Sequence, residues 1–165
     1  MADINPALDT PTDLARNDTR TVAEALNAAL ADCFALYLKT KNFHWHVSGP
    51  HFRDYHLMMD DQATQVLGVT DAIAERVRKI GATTLRSIGD VSRHQSIVDN
   101  DKEFVSPGDM LVELRDDNRR LVERFREVKE AAEKAGDNAT SGIVDEWTDQ
   151  AEERAWFLFE AGRKS

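Results

Sequence analysis

Four of the five histidines in this chain lie within thirteen positions, in the stretch KTKNFHWHVSGPHFRDYH at residues 39–56. They are His44, His46, His51 and His56. Imidazole is a common metal ligand and carries protons near neutral pH, so the cluster suggests a metal site. His44 and His46 would point about 200° apart on a regular helix, so they cannot share one metal ion. We therefore expect one of these two side chains to serve packing or to face solvent.

The predicted helix that contains His56 carries further candidate ligands. Three carboxylates share the side of His56: Asp60, Asp71 and Glu75. They fall at about 40°, 60° and 100° from it on a helical wheel. Apolar residues occupy the same side, which predicts a packed face, where carboxylates are costly unless paired or bound to metal. Carboxylate oxygen with imidazole nitrogen suits ferrous iron and, less selectively, zinc or manganese.

These four groups cannot surround one metal ion within one chain. Asp60 and Asp71 are eleven residues apart, which is roughly 16 Å of helix rise. Either the two pairs of ligands are unrelated, or a second copy of the helix crosses antiparallel at a two-fold axis near Gln65 and Val66. In the second case the nearby Gly68 allows the two backbones to approach. The spacing alone leaves both alternatives open.

Helical periodicity predicts an all-α fold. Apolar stripes predict the core faces of the last two long helices: Leu111, Leu114, Leu121, Phe125, Val128 and Ala132 on one, and Ile143, Val144, Trp147, Ala151 and Leu158 on the other. The predicted helices cover about residues 20–47, 50–79, 106–133 and 140–161, with a short extra helix near 92–100. Short loops within the first and last pairs, and a long connector at 82–105, predict a ferritin-like antiparallel four-helix bundle with a crossover. We expect residues 1–19 to form a flexible tail and residues 20–165 to form a single domain.

A metal site inside the bundle is disfavoured. Di-iron carboxylate bundles place a Glu-x-x-His motif on each of two helices. None of the five histidines here has a glutamate three residues before it. Any metal site should therefore lie elsewhere.

Composition narrows the classes of function. The 165 residues are 41% hydrophobic and 31% charged, as in a soluble domain. There is no run of eighteen apolar residues and no signal-peptide pattern, so we expect no contact with membranes.

The lone Cys33, predicted to be buried, fits a reducing cytoplasm. The net charge of −9 repels nucleic acid, and neither terminus is polybasic, which argues against DNA binding.

The segments KNFHWHVSGPHFRDYHLMMDDQ and DAIAERVRKIGATTL closely resemble the Dps family, the DNA-protection-during-starvation proteins or mini-ferritins. The signature of that family is a histidine, a second histidine twelve residues later, then Asp, Asp and Glu at intervals of four, eleven and four. The matching residues are His44, His56, Asp60, Asp71 and Glu75. The resemblance implies that the first three come from one subunit and the last two from its two-fold mate.

The resemblance also implies a ferroxidase and iron-storage function. The family forms a hollow homo-dodecamer that oxidises ferrous iron, typically with hydrogen peroxide in preference to dioxygen, and stores ferric mineral. Zinc or manganese are possible substitutes at the metal site. An alternative is a nucleoid-compacting DNA-binding shell with little iron turnover, and a third is a metal-free helical scaffold.

Two further roles follow from the resemblance alone. Trp45 matches a tryptophan near the iron centre and is a candidate quencher of radicals, although packing at an interface explains it equally. Acidic residues near the start of the last helix are candidates for an iron-entry pore: Asp145, Glu146 and Asp149. A solvated acidic helix start explains these residues as well.

Overall fold

The computed structural model describes residues 4–163, which form five α-helices and no strand. The helices are α1 (Arg16–His46), α2 (Phe52–Lys79), α3 (Ile88–His94), α4 (Pro107–Ala135) and α5 (Asn138–Ala161), preceded by a 3-10 turn at Pro6–Leu8. Four of them are long, and the short α3 lies in the connector between α2 and α4. This arrangement confirms the predicted all-α four-helix bundle.

Ion pairs between helices define their directions. Lys39, near the end of α1, contacts Glu113 and Asp117 near the start of α4, each at 2.8 Å. Helices α1 and α4 are therefore antiparallel. Arg76, near the end of α2, pairs at 3.1 Å with Asp137 in the α4–α5 loop. Because α2 and α4 end at the same end of the bundle, the connector between them runs back along its length.

The apolar faces predicted from periodicity form the core. The stripe predicted for α4 is entirely buried: Leu111, Leu114, Leu121, Phe125, Val128 and Ala132. On α5 the prediction was wrong at Ile143, which is 36% exposed, while the adjacent Val144 is fully buried. Cys33 is completely buried on α1, and this burial raises the pKa of its thiol to about 12. The predicted role of Cys33 as a core residue is confirmed.

The ends of the helices differ from the predictions where a side-chain cap is missing. Helix α1 begins at Arg16, four residues earlier than predicted, because its N-cap is Ala15, which leaves no polar signal in the sequence. Helix α2 begins at Phe52, after Pro50 rather than at it. Helix α3 begins directly after Ser87, whose side chain accepts a hydrogen bond from the first turn, and so precedes its predicted position.

The segment before α1 lies against the C-terminal end of α2. The guanidinium of Arg78 donates a hydrogen bond to the carbonyl of Leu8 at 2.6 Å. Gly81 has a φ of +93°, and a Cβ atom there would lie 3.0 Å from the carbonyl oxygen of Thr10, so glycine is needed at this close approach. The flexibility predicted for residues 1–19 stays a prediction, and residues 1–3 of that tail lie outside the described residues.

Helix α1 is also, by length and composition alone, apolar enough to cross a membrane. Most of the relevant stretch is buried inside the bundle, as expected for the central helix of a packed core. The absence of membrane contact stays a prediction.

A buried carboxylate holds the connector on α1. Asp32 is fully buried and accepts hydrogen bonds from the backbone N–H groups of Ser96 and Ile97 and from the Ser96 hydroxyl. The Nε atom of Arg124, on α4, donates to the same carboxylate at 3.2 Å. One side chain therefore joins α1, the connector and α4.

We expect Asp32→Ala to lower the free energy of unfolding by about 3 kcal/mol, because buried N–H groups and a guanidinium lose their acceptor. Denaturant unfolding at one fixed protein concentration measures this, since association changes apparent stability. The control is Asp116→Ala, whose exposed carboxylate pairs with Arg115, with an expected loss under about 0.5 kcal/mol. Equal losses for the two variants would contradict the role of Asp32.

Candidate metal centre

The α1–α2 hairpin brings two of the predicted histidine ligands into contact. His44 lies in the last turn of α1 and His56 in the first turns of α2. Their rings stack with centroids 3.8 Å apart and an angle of 19° between the planes. The Nδ1 atom of His44 lies 2.7 Å from the backbone oxygen of His56, and Nδ1 of His56 lies 2.8 Å from the backbone oxygen of His44.

These reciprocal hydrogen bonds define the tautomer of both rings. A carbonyl oxygen only accepts hydrogen bonds, so each Nδ1 must carry the proton and donate it. In the neutral ring the lone pair is then on Nε2, which is the atom left to bind a metal ion. A backbone carbonyl that holds the far ring nitrogen is the usual support for a metal-binding histidine. In both rings Nε2 is therefore the nitrogen that can bind a metal ion.

Asp60 completes a three-residue cluster one turn further along α2. Its Oδ1 atom lies 3.8 Å from Nε2 of His44. The same oxygen accepts a hydrogen bond from Nζ of Lys41 at 2.7 Å. This bond, with the charge of Lys41, lowers the pKa of Asp60 below its usual value. The carboxylate is therefore anionic at neutral pH, as a metal ligand must be.

Lys41 is the residue in this cluster that the sequence reasoning missed. Its ammonium group, which lies 5.8 Å from the ring centroid of Trp45, pairs with a predicted metal ligand. Lys41 precedes His44 by three residues, so both side chains lie on one face of α1. From this spacing the proximity of Lys41 to the site could have been predicted. A cation bound by Asp60 must compete with Lys41.

We expect Lys41→Met to tighten the binding of a divalent cation about tenfold, because the substitution removes a competing charge within a few ångströms of the site. Calorimetric titration with Zn²⁺, which has no redox chemistry, measures the affinity. Lys134→Met is the control, since Lys134 pairs with Glu130 away from the site. Unchanged or weaker binding by Lys41→Met would contradict the competition.

The other two predicted ligands lie apart from this cluster. Asp71 and Glu75 are exposed on the same continuous helix α2, and Glu75 pairs with Lys79 at 3.0 Å. Among residues 4–163 of the single chain, no three His, Cys, Asp or Glu side chains are arranged to hold a metal ion. The structure thus brings His44, His56 and Asp60 near one another without completing a three-ligand site in the single chain, and it leaves Asp71 and Glu75 facing outward.

The remaining histidines take other roles. All three are exposed: His46, His51 and His94. Nδ1 of His46 bonds to the carbonyl of Asn42 within α1. His94, for which the sequence suggested no partner, bonds to the backbone oxygen of Asp90 at 2.8 Å. None of these contacts links them to the His44–His56 pair.

The candidate pore and quencher residues are all at the surface. Trp45 is 58% exposed and lies beside the cluster of His44, His56 and Asp60. On α5 the three acidic residues are exposed: Asp145, Glu146 and Asp149. Asp145 pairs with Lys129 at 2.9 Å. Their roles in quenching and in iron entry stay predictions.

The centre of the bundle does not offer a cation site. Arg154 of α5 projects into it, and its Nε atom donates to Oδ1 of Asn118 at 2.7 Å. Gln62 of α2 donates to the backbone oxygen of Arg154. The positive guanidinium repels a metal cation, and the two neutral amides bind one only weakly. The absence of a metal site inside the bundle stays a prediction.

A partly apolar groove lies on the outer face of α1, α2 and α3. It has a volume of about 560 Å³, and its lining includes Leu38, Leu67 and Ile88. These side chains are 57%, 40% and 78% exposed. Nothing lies within 4 Å of the position that a Cβ atom would take at Gly68. Exposed apolar groups of this size, grouped on one face, are typical of an interface.

Comparison with known proteins agrees with this fold. A family model described as a ferritin-like domain matches residues 23–161. The DNA protection during starvation protein of Agrobacterium fabrum is 33% identical over 156 residues, covering 90% of this chain and 92% of that protein.

Solved structures are similar over nearly the whole chain. The crystal structure of a Dps protein from Bacillus brevis superposes with a TM-score of 0.86 at 28% identity, covering 91% of this chain and all of that one. The Dps protein of Vibrio cholerae O1, described as a member of a broad superfamily of ferritin-like diiron-carboxylate proteins, gives 0.88 at 23% identity, covering 96% and 99%. The fold and these matches define a ferritin-like protein. Within that class, the chain belongs to the Dps family.

Proposed function

We propose that this protein oxidises ferrous iron at a dinuclear site shared by two subunits and stores the ferric product. The observation that carries the proposal is the reciprocal pair of hydrogen bonds between His44 and His56, which leaves Nε2 of each ring to bind a metal ion, with that of His44 3.8 Å from the carboxylate of Asp60. Two imidazoles with a carboxylate suit ferrous iron as a substrate. The diiron-carboxylate description of the Vibrio cholerae relative supports the same chemistry.

A second copy of the chain supplies the other half of the site in this proposal. Asp71 and Glu75 lie on the outer side of α2, near the exposed Leu67 and the open face at Gly68. Two α2 helices packed antiparallel about a two-fold axis near Gln65 and Val66 bring Asp60 of each chain toward Asp71 of the other. Such a self-complementary contact creates two equivalent sites in each dimer.

The residues of the chain then have distinct tasks. His44, His56 and Asp60 of one chain and Glu75 of its mate bind ferrous iron directly, while Asp71 of the mate binds the more weakly held ion or bridges to it through water. Two ferrous ions each give one electron to hydrogen peroxide, which with two protons becomes two water molecules, and two ferric ions result. The protein contributes the positioning of both ions against one oxidant molecule.

The wider assembly follows the same proposal. Dimers associate into a hollow dodecamer in the cytoplasm, and ferric mineral collects inside. Asp145, Glu146 and Asp149 attract ferrous ions toward entry pores, and Trp45 reduces stray radicals near the centre. Removal of ferrous iron and peroxide together protects the cell from oxidative damage.

Rapid-mixing absorbance tests the proposed activity. Ferrous iron is loaded anaerobically and then mixed with hydrogen peroxide or with dioxygen. We expect ferric absorbance to rise much faster with the protein than in buffer, faster with peroxide, and with one peroxide consumed per two ferrous ions. A rate equal to that in buffer would refute the proposal.

A protective DNA-binding shell is the second candidate, because the Agrobacterium fabrum relative is named for DNA protection. The net charge of −9 opposes it. We expect no retardation of duplex DNA in a gel-shift titration at low salt. Retardation without iron oxidation would favour this alternative instead.

A further inference from the structure

Arg154 is a buried charge without a counter-ion. Its side chain is 2% exposed, and it forms no ion pair with any carboxylate of residues 4–163. Its two hydrogen bonds go to neutral amides, Asn118 at 2.7 Å and Gln65 at 3.3 Å. A guanidinium carries five N–H donors, so most of them remain available. Burial lowers the pKa of Arg154 to about 10, so the group stays charged at neutral pH.

This situation is unfavourable in a folded core. A buried charge costs several kcal/mol unless an opposite charge or sufficient hydrogen bonds compensate it. Glu153, its neighbour on α5, is exposed and acts on Arg154 only through its electrostatic field. The structure therefore has a place for an anion at the guanidinium.

Arg154 lines a groove that gives access to such an anion. The groove lies between α2 and α5, which contact each other sparsely, and has a volume of about 650 Å³. Gln65 also lines it and lies about 140° around α2 from Asp60, away from the face proposed to meet the mate, so its amide N–H₂ is available as a donor. Gln62 contributes a buried Oε1 atom with no hydrogen-bond partner among the described residues.

We propose that the α2–α5 groove binds a small oxyanion of the phosphate type, held by the guanidinium of Arg154 with the amide of Gln65. Arginine binds phosphate oxygens through paired N–H donors that are stronger than neutral hydrogen bonds. Asp61 and Glu153, also in the lining, are exposed carboxylates that weaken the binding of a doubly charged anion.

Calorimetric titration of the assembled, metal-free protein with inorganic phosphate at low ionic strength tests the site. We expect one phosphate per chain and an affinity at least about tenfold weaker for Arg154→Gln, which removes a charge-assisted contact. The His44→Ala, His56→Ala double variant is the matched control and should bind phosphate like the wild type. Equal binding by Arg154→Gln, or no binding by the folded wild-type protein, would overturn the proposal.

A variant that is expected to bind phosphate more tightly provides a second test, because misfolding would not increase the affinity. Asp61→Asn combined with Glu153→Gln removes two negative charges from the groove. We expect phosphate to bind at least about threefold more tightly to this variant, with the difference shrinking as salt is added. An unchanged affinity would show that phosphate binds elsewhere.

Discussion

Replacing both His44 and His56 by alanine should reduce the rate of ferrous oxidation at least about a hundredfold, because both imidazole ligands of one iron ion are lost. Each ring is also the hydrogen-bond donor to the backbone of the other. A single substitution removes one imidazole but keeps the backbone carbonyl that orients the other ring, so both histidines are replaced together. Stopped-flow absorbance after mixing with peroxide measures the rate.

The matched control is His46→Ala. His46 belongs to the same turn of α1, but it is exposed and its Nδ1 bonds only within its own helix. We expect this variant to oxidise iron like the wild type. If the double variant kept the wild-type rate, the assignment of the two histidines as ligands would be wrong.

The second large effect on the oxidation rate is expected at Asp71 and Glu75, which lie apart from the other candidate ligands in a single chain. Asp71→Asn with Glu75→Gln should also reduce the rate about a hundredfold, although both carboxylates are exposed and lie roughly 16 Å and roughly 22 Å, respectively, along the helix from Asp60. The expected loss follows from the proposal that these carboxylates ligate iron held by the partner chain. Stability should change little, since surface substitutions usually alter it by less than about 0.5 kcal/mol.

Glu130→Gln is a close control for this pair. Glu130 pairs with Lys134 four residues later at 2.6 Å, as Glu75 pairs with Lys79 at 3.0 Å, and both glutamates are exposed. We expect Glu130→Gln to keep full activity. Similar small effects of both substitutions would indicate that Glu75 is an ordinary surface residue.

The fold was predictable where the sequence contains local signals. Ser106 and Gly136 bracket α4 as a side-chain cap and a left-handed C-cap, and the apolar stripe between them is buried as expected. The start of α1 was missed because Ala15 provides no capping group. Ile143 was placed in the core because both it and Val144 fit the period approximately, and only packing against other helices distinguishes them.

The intervals between the candidate ligands could be predicted from the sequence, but the positions of the positive charges of Lys41 and Arg154 could not. Intervals along the chain predicted which residues share a face, and the structure brings His44, His56 and Asp60 together. The contact of Lys41 with Asp60 was missed because it joins two helices across a hairpin. Arg154 was missed because a charged residue in a polar run suggests surface, although it follows Ala151 and precedes Leu158 on the buried face.

Complementation between two inactive variants tests the shared site most directly. The His44→Ala, His56→Ala chain is co-expressed with the Asp71→Asn, Glu75→Gln chain, and mixed assemblies are purified through different tags. Random pairing makes half of the dimers mixed, each with one intact site of two, so about a quarter of the wild-type oxidation rate should return. If every centre were instead built from a single polypeptide, no centre in the mixture would be intact. The mixed assemblies would then oxidise iron no faster than the separate variants, and this result would contradict the account.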